Sequence, residues 1–152
     1  MVQAFSLTSN SLAYFIGYTL VHAQRVAIVS PWMSDVELKF PVTNALEERT
    51  LRLSEALHQL PETKVMTIVK EGESHNDYLR RRLPDHVTLI ELDDLHAKAV
   101  ICDEYVYLGS ANITRGGFSL NRELCEVIEN EYESIEGYLE TELGIYRSDL
   151  NL

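Results

Sequence analysis

The sequence predicts an α/β domain, a mixed β-sheet flanked by helices, and three observations carry that reading. Short apolar, β-branched runs recur at Val26–Val29, Lys64–Lys70 and Val87–Leu92, each bounded by turn residues, as strands buried on both faces do. Segments with helical apolar spacing lie between them, so strands and helices alternate. Beyond residue 96, strand-like runs follow one another with little between them, which adds antiparallel neighbours to a parallel beginning. The 152 residues suit a single domain, 1–152, and 45% hydrophobic with 24% charged residues is enough to build a core.

In chain order, Leu12, Phe15, Ile16, Leu20 and Ala23 fall at helical spacing, with Ser9 or Ser11 as the cap. The run Leu12–Val21 within it must be weighed as a targeting segment. Its first basic neighbour, Arg25, follows it rather than preceding it, and it is shorter than the roughly 20 residues a bilayer requires. It therefore reads as a helix, with no membrane segment and a cytoplasmic location expected. The strand Val26–Val29 ends in Ser30-Pro31-Trp32. Asn44, with Glu47 three residues on, signals a capped helix whose stripe is Leu46, Leu53, Leu57 and Leu60, stopped by Pro61.

After the strand Lys64–Lys70, Ser74 and Asp77 form a second capping signal before a short helix ended by Pro84. Val87–Leu92 is the next strand. Ala97–Cys102 and Tyr105–Gly109 read as a hairpin turning at Asp103-Glu104, then Cys125–Glu129 as a last strand. A final helix runs from Tyr132 to Tyr146, with Tyr132, Ile135, Leu139 and Leu143 along one side.

Charge narrows the function classes. Thirteen Lys and Arg against 24 Asp and Glu leave a formal charge of −11, which argues against a broad polyanion-binding face but not against a small phosphate site. Cys102 and Cys125 make neither a zinc motif nor a disulfide framework and read as reduced, buried thiols. Arg80-Arg81-Arg82 reads as a solvated helix face ahead of its alternative, a nucleic-acid contact. His22, His58, His75 and His86 have no patterned partners and receive no role.

The stretch that carries chemistry is His96-Ala-Lys98, then Asp103, then Gly109-Ser110-Ala-Asn112. Two residues apart on an expected strand, His96 and Lys98 leave the same face and form an electropositive pair suited to an oxyanion. Gly109 permits close backbone approach, and Ser110 and Asn112 add neutral donors. These residues provide a nucleophile or acid, a fixed cation and amide and hydroxyl donors. No cluster here suits a metal, and no cofactor is expected. Asp103 fits a hairpin turn better than a catalytic role. Trp32, at the ligand-facing end of its strand, reads equally as a substrate contact or as a core residue.

This constellation resembles the HKD signature of the phospholipase D superfamily: H-x-K, four residues, D, about six residues, G-S-x-N. His96, Lys98, Asp103, Gly109, Ser110 and Asn112 match it. Six such identities arise by chance in 152 residues with a probability on the order of one in a million. Asn121-Arg122-Glu123 is similar to the family's downstream run, in which a glutamate orients the histidine. One feature departs from the signature: five residues, not six, separate Asp103 from Gly109. A deletion within a strand would flip its faces, so the missing residue is expected in the turn Asp103–Tyr105.

With one motif and no second copy, the chain resembles the small single-motif bacterial nucleases of the superfamily, which are homodimers with one active site across the two-fold axis. The resemblance implies a phospholipase D-like fold and phosphodiesterase chemistry through a phosphohistidine on His96. Lys98, Asn112 and Ser110 would hold the phosphate and Glu123 would orient the imidazole. Asp103 and Gly109 would support the motif, while Ser30, Trp32, Arg115 and Arg122 would meet substrate. The interface is expected to use Tyr105 and Tyr107, for which the sequence offers no other burial.

Nucleic acid is the expected substrate, because no amphipathic basic helix suggests lipid. A dimer would carry −22 (twice −11), so DNA delivered by a larger protein partner to a local basic cleft of Lys70, Arg115 and Arg122 is expected. Small members of this kind occur in bacterial restriction and phage-defence clusters. Two other readings stand beside this one: a non-catalytic dimeric subunit that binds phosphate or nucleic-acid ends, and a phospholipase.

Overall fold

The computed structural model describes residues 4–7, 11–41, 46, 49–114, 117 and 125–150. Among these are nine strands: β1 (Ala4–Leu7), β2 (Arg25–Val29), β3 (Glu37–Lys39), β4 (Thr50–Arg52), β5 (Lys64–Lys70), β6 (Thr88–Leu92), β7 (Ala99–Ile101), β8 (Tyr105–Gly109) and β9 (Cys125–Glu129). The helices are α1 (Leu12–His22), α2 (Leu53–Gln59), α3 (Asp77–Arg80) and α4 (Ile135–Leu143). Seven strands form one sheet in the order β1-β9-β8-β7-β2-β5-β6, and β3 and β4 form a separate pair. The sheet is parallel through β2, β5 and β6, and antiparallel from β2 through β7, β8 and β9 to β1. It is the expected mixed α/β sheet flanked by helices.

Strand alternation sorts the core into two layers. Val26, Ile28, Val65, Val69, Val100 and Tyr107 turn toward Leu12, Ile16 and Leu20 of α1 and Leu53, Ala56 and Leu57 of α2. Ala27, Val29, Ile68, Ala99, Ile101 and Val106 turn to the other side, against Ile135, Tyr138 and Leu139 of α4. Val26 to Val29 are thus buried on both faces, which is why β2 reads as an unbroken apolar run. Both cysteines are buried, and neither forms a disulfide. Among the described residues, no helix is long and apolar enough to cross a membrane.

The second helix differs most from the sequence reading. It begins at Leu53, and the residues before it belong to the β3–β4 pair, where buried Leu38 faces buried Leu51 between exposed neighbours. Asn44 and Glu47, the expected cap, lie outside the described residues. The helix is instead capped from a distance: the Asp35 carboxylate accepts from Ser54 N at 2.8 Å and from Ser54 Oγ at 2.7 Å. Leu46, Leu53, Leu57 and Leu60 do enter one core, but from different elements, so their spacing imitated a single helix. The small pair packs tightly on α1, where a Cβ on Gly17 would stand 2.0 Å from the Lys39 carbonyl oxygen.

Other boundaries move less. Strand β1 went unread, and His96 and Lys98 lie in the loop before β7, which starts at Ala99 rather than Ala97. Ser11 occupies the N-cap of α1 and Asn76 that of α3, both without a side-chain capping bond, so the Ser74 capping signal is not realised. Ser74–Asn76 is a 3₁₀ turn leading into α3. The last helix is shorter than Tyr132–Tyr146. Ser134 caps it by accepting from Gly137 N at 3.0 Å, and Gly144 closes it with φ of 63°.

Tyr107 corrects the interface reading. It is fully buried within the chain, its hydroxyl donating to Ala111 O at 3.2 Å. Tyr105 is exposed, but at the turn end of β8, away from Gly109.

Arg25, opening β2, pairs with Glu136 of α4 and lies 3.9 Å from Asp103 in the β7–β8 turn, whose carboxylate accepts from Ile135 N at 3.2 Å. Burial pushes the Glu136 carboxyl up. Its own backbone N–H and the Arg25 guanidinium outweigh that and hold it below its ordinary 4.5. A depressed folded pKa stabilises above the unfolded value, and the contribution is lost as pH falls through the folded one. Glu136→Gln is therefore expected to cost at most about 1 kcal/mol at neutral pH for this partly exposed pair. The gap to wild type should close on acidification below pH 4.5, as urea midpoints across pH will report. A gap undiminished in acid would mean that Glu136 acts by packing alone.

Candidate functional site

Four segments meet at the carboxyl ends of the parallel strands, where open α/β sheets place ligands. The first is Ser30–Ser34, leaving β2. Ser30 N donates to Ile68 O at 3.0 Å, and Lys70 N donates to Pro31 O at 3.2 Å, so the loop continues the β2–β5 ladder. The second follows β5, where the buried Asn76 spans the loop: Nδ2 donates to Pro31 O at 2.9 Å and Oδ1 accepts from Met33 N at 2.7 Å. With both amide atoms used, Asn76 fixes the backbone on either side of Trp32.

The third segment follows β8. Ser30 Oγ accepts from Ile113 N at 3.1 Å, and its proton faces Trp32 O at 2.6 Å and Asn112 Oδ1 at 3.1 Å. Ser34 N donates to Ile113 O at 2.9 Å, and Met33 and Ile113 form a parallel bridge. Asn112 is half-buried; with Oδ1 held by Ser30, its amide NH₂ is left as the donor for a ligand. Gly117 packs under this segment so closely that a Cβ would stand 2.0 Å from Asn112 O. Only glycine fits there.

The fourth segment carries His96 and Lys98. Because β7 runs antiparallel to β2, its start lies at the carboxyl end of β2. Continued by one residue, the β2–β7 and β7–β8 registers set Lys98 between Ser30 and Gly109. Lys98 is half-buried, and its Nζ donates to His96 O at 3.2 Å. His96 is exposed and borders a cleft of about 520 Å³, lined also by Glu71, Glu91, Asp93, Asp94, Tyr146 and Asp149. The hairpin between Asp103 and Gly109 keeps its register without a break. Cys102 N donates to Tyr105 O at 2.9 Å, which closes the hairpin over Asp103 and Glu104, and Val100 still faces Tyr107.

Several sequence-derived roles change. Ser30 is fully buried, so it holds Asn112 instead of meeting substrate. Trp32 is 47% exposed, which sets aside its reading as a core residue. Asp103 sits in the turn at the far end of β7, tied to Arg25 and α4. Ser110 is exposed beside Gly109. Arg115, Arg122 and Glu123 lie outside the described residues, and Lys70 is 3.9 Å from Glu73. Arg80 is engaged by Asp77 and Glu91, each at 2.8 Å, and the Arg82 guanidinium lies over the Tyr78 ring at 3.6 Å. The arginine run is therefore largely committed within the chain. Among the described residues, no cluster of three or more His, Cys, Asp or Glu could hold a metal.

Two residues were missed. His75 Nε2 lies 2.8 Å from Ser34 Oγ, and its ring stacks on Trp32 with centroids 5.8 Å apart; Asn76 is described above. Their one available signal was position, just past the end of a parallel strand.

The sequence profile described as the phospholipase D-like domain of cardiolipin synthase matches residues 62–143, more than half of the chain. The chain belongs to the phospholipase D superfamily. Comparison with curated proteins gives no match. Among solved structures, this phospholipase D-like chain is similar to Nuc, a phospholipase D family member from Salmonella typhimurium: TM-score 0.63 and 16% identity over 99% of this chain and 94% of that one. NucT from Helicobacter pylori follows at 0.60 and 15%, over 99% and 96%. Phosphatidylserine synthase from Haemophilus influenzae Rd KW20 gives 0.60 and 20%, over 97% of this chain but 39% of that one. These likenesses establish the fold. Membership places the protein among phosphodiesterase-type enzymes, and the matched span includes His96, Lys98 and Asn112.

Replacing Ser30 by Ala removes the hydroxyl that joins Trp32, Asn112 and Ile113 and leaves Ile113 N unpaired, at a cost of about 1–3 kcal/mol. With Asn112 released, turnover of a chromogenic phosphodiester should fall by up to about a hundredfold, the scale of a misplaced catalytic group. Thermal melts run beside kinetics check this. Full turnover by a folded Ser30→Ala protein would show that Asn112 needs no such anchor.

Proposed function

We propose that the protein is a metal-independent nuclease of the phospholipase D superfamily, acting as a homodimer through a phosphohistidine. The convergence of Lys98 and the Ser30-held Asn112 beside His96 carries this reading, since it supplies a cation and an oriented amide donor for non-bridging phosphate oxygens. His96 attacks phosphorus, a P–N bond forms and one P–O ester bond breaks. The departing oxygen takes a proton from His96 of the partner subunit. Water then attacks phosphorus as it gives a proton to His96 of the partner subunit, the P–N bond breaks, and a phosphate monoester leaves while both imidazoles are restored. Glu123 orients His96, Ser110 adds a donor, and Arg115 and Arg122 line the approach.

Nucleic acid is favoured over lipid because no described segment offers an amphipathic basic helix for a membrane surface. The −11 charge supports delivery of DNA by a larger protein, as in a bacterial defence system in the cytoplasm. The same charge and the acidic surroundings of His96 favour a second reading, a non-catalytic phosphate-binding subunit.

Incubating the purified protein with DNA, RNA and bis(p-nitrophenyl) phosphate, with and without EDTA, separates these readings. Cleavage of nucleic acid should survive EDTA and vanish in His96→Ala with the fold retained. Activity lost to EDTA and restored by Mg²⁺ overturns the mechanism, and binding without any cleavage supports the subunit reading.

The dimer has its own test. In-line displacement needs a nucleophile and an acid on opposite sides of phosphorus, and a two-fold axis sets His96 opposite its own copy. When His96→Ala is mixed and exchanged with wild type, activity should fall roughly as the square of the wild-type fraction. A linear fall would mean that one chain holds a complete site.

A further inference from the structure

We infer that Trp32 and His75 form a stacking shelf for one unpaired nucleobase beside the scissile phosphate, which directs the enzyme to single strands. The inference rests on the nuclease reading and adds the class of substrate. Trp32 is a large aromatic left 47% exposed, and it is not isolated: His75, also exposed, stacks on it with rings inclined by 29°. Two flat rings at one rim provide a surface that any base can cover.

The shelf is held before anything binds. Ser30 Oγ bonds Trp32 O, Asn76 bonds the backbone at Pro31 and Met33, and Ser34 Oγ lies 2.8 Å from His75 Nε2. Little ordering is left to oppose binding. It also stands next to the phosphate donor, because the hydroxyl that bonds Trp32 O contacts Asn112. Among the described residues, part of the cationic surface is already committed within the chain. The net charge is −11, Arg80 is paired with Asp77 and Glu91, and Arg82 is stacked on Tyr78. Stacking supplies affinity that does not depend on charge, and it requires a base free of its partner strand.

Trp32 is the single tryptophan, so its fluorescence reports the shelf directly. The probes, added to His96→Ala protein, are a twelve-residue oligo(dT), an abasic strand of equal length and a blunt duplex. Oligo(dT) should quench strongly, the abasic strand and duplex little. In the His96-containing enzyme, Trp32→Ala should raise KM for single-stranded DNA about tenfold, more than it lowers kcat, with Trp32→Phe recovering most of the loss. His75→Ala should raise KM by a smaller factor.

Equal quenching by oligo(dT) and the abasic strand, or an unchanged KM in Trp32→Ala, overturns the shelf. If DNA is still cleaved in that case, the nuclease reading stands without it. If oligo(dT) quenches but no nucleic acid is cut, the shelf stands and the nuclease reading falls.

Discussion

The arrangement of the site depends on one buried hydroxyl. Ser30 follows the central strand β2 with no solvent exposure, and its Oγ reaches the loop that carries Trp32 as well as the segment that carries Asn112. Those segments are some eighty residues apart in sequence, and no ladder of the main sheet joins them directly. A small hydroxyl that both donates and accepts can satisfy backbone groups from both sides in a space too tight for a larger side chain. Asn76 plays the same part from the β5 side, so three strand ends are bound into one rim by side-chain to backbone bonds. A buried polar network of this kind specifies one geometry because each unmade bond is costly.

Electrostatics around that rim are uneven. Lys98, continuing the register of β7, lies between β2 and β8, whereas the cleft beside His96 is lined with carboxylates. The field of Lys98 attracts an anion, and that of the carboxylates repels one. A chain of net charge −11 can hold such a site because the Lys98 field acts over a few ångströms, while the overall charge is screened by salt beyond about 10 Å.

Most of the sheet was legible in the sequence. The strands β2, β5, β6, β8 and β9 and the helix α1 were read to within a residue or two, because strands buried on both faces and a helix with a full apolar stripe leave strong periodic signals. The β3–β4 pair was not legible. Its strands have three residues each, and Leu46, which precedes β4, enters the same core as Leu53 and Leu57 of α2, so the pattern read as one long helix. Nor did the sequence separate exposed from buried aromatics. Tyr105 and Tyr107 stand on the same strand, yet one is solvent-facing and the other fully buried.

By itself, the sequence determined the fold class and the superfamily, since these rest on local periodicity and on the spacing of His96, Lys98 and Asn112. Tertiary structure alone decided that Ser30 is a buried anchor, that Asp103 belongs to the Arg25 and α4 contacts at the far end, and that His75 lies on Trp32. The reason is that hydrogen bonds and ring contacts between residues tens of positions apart carry no periodic signature. They exist only once strand order has brought β2, β5, β7 and β8 side by side.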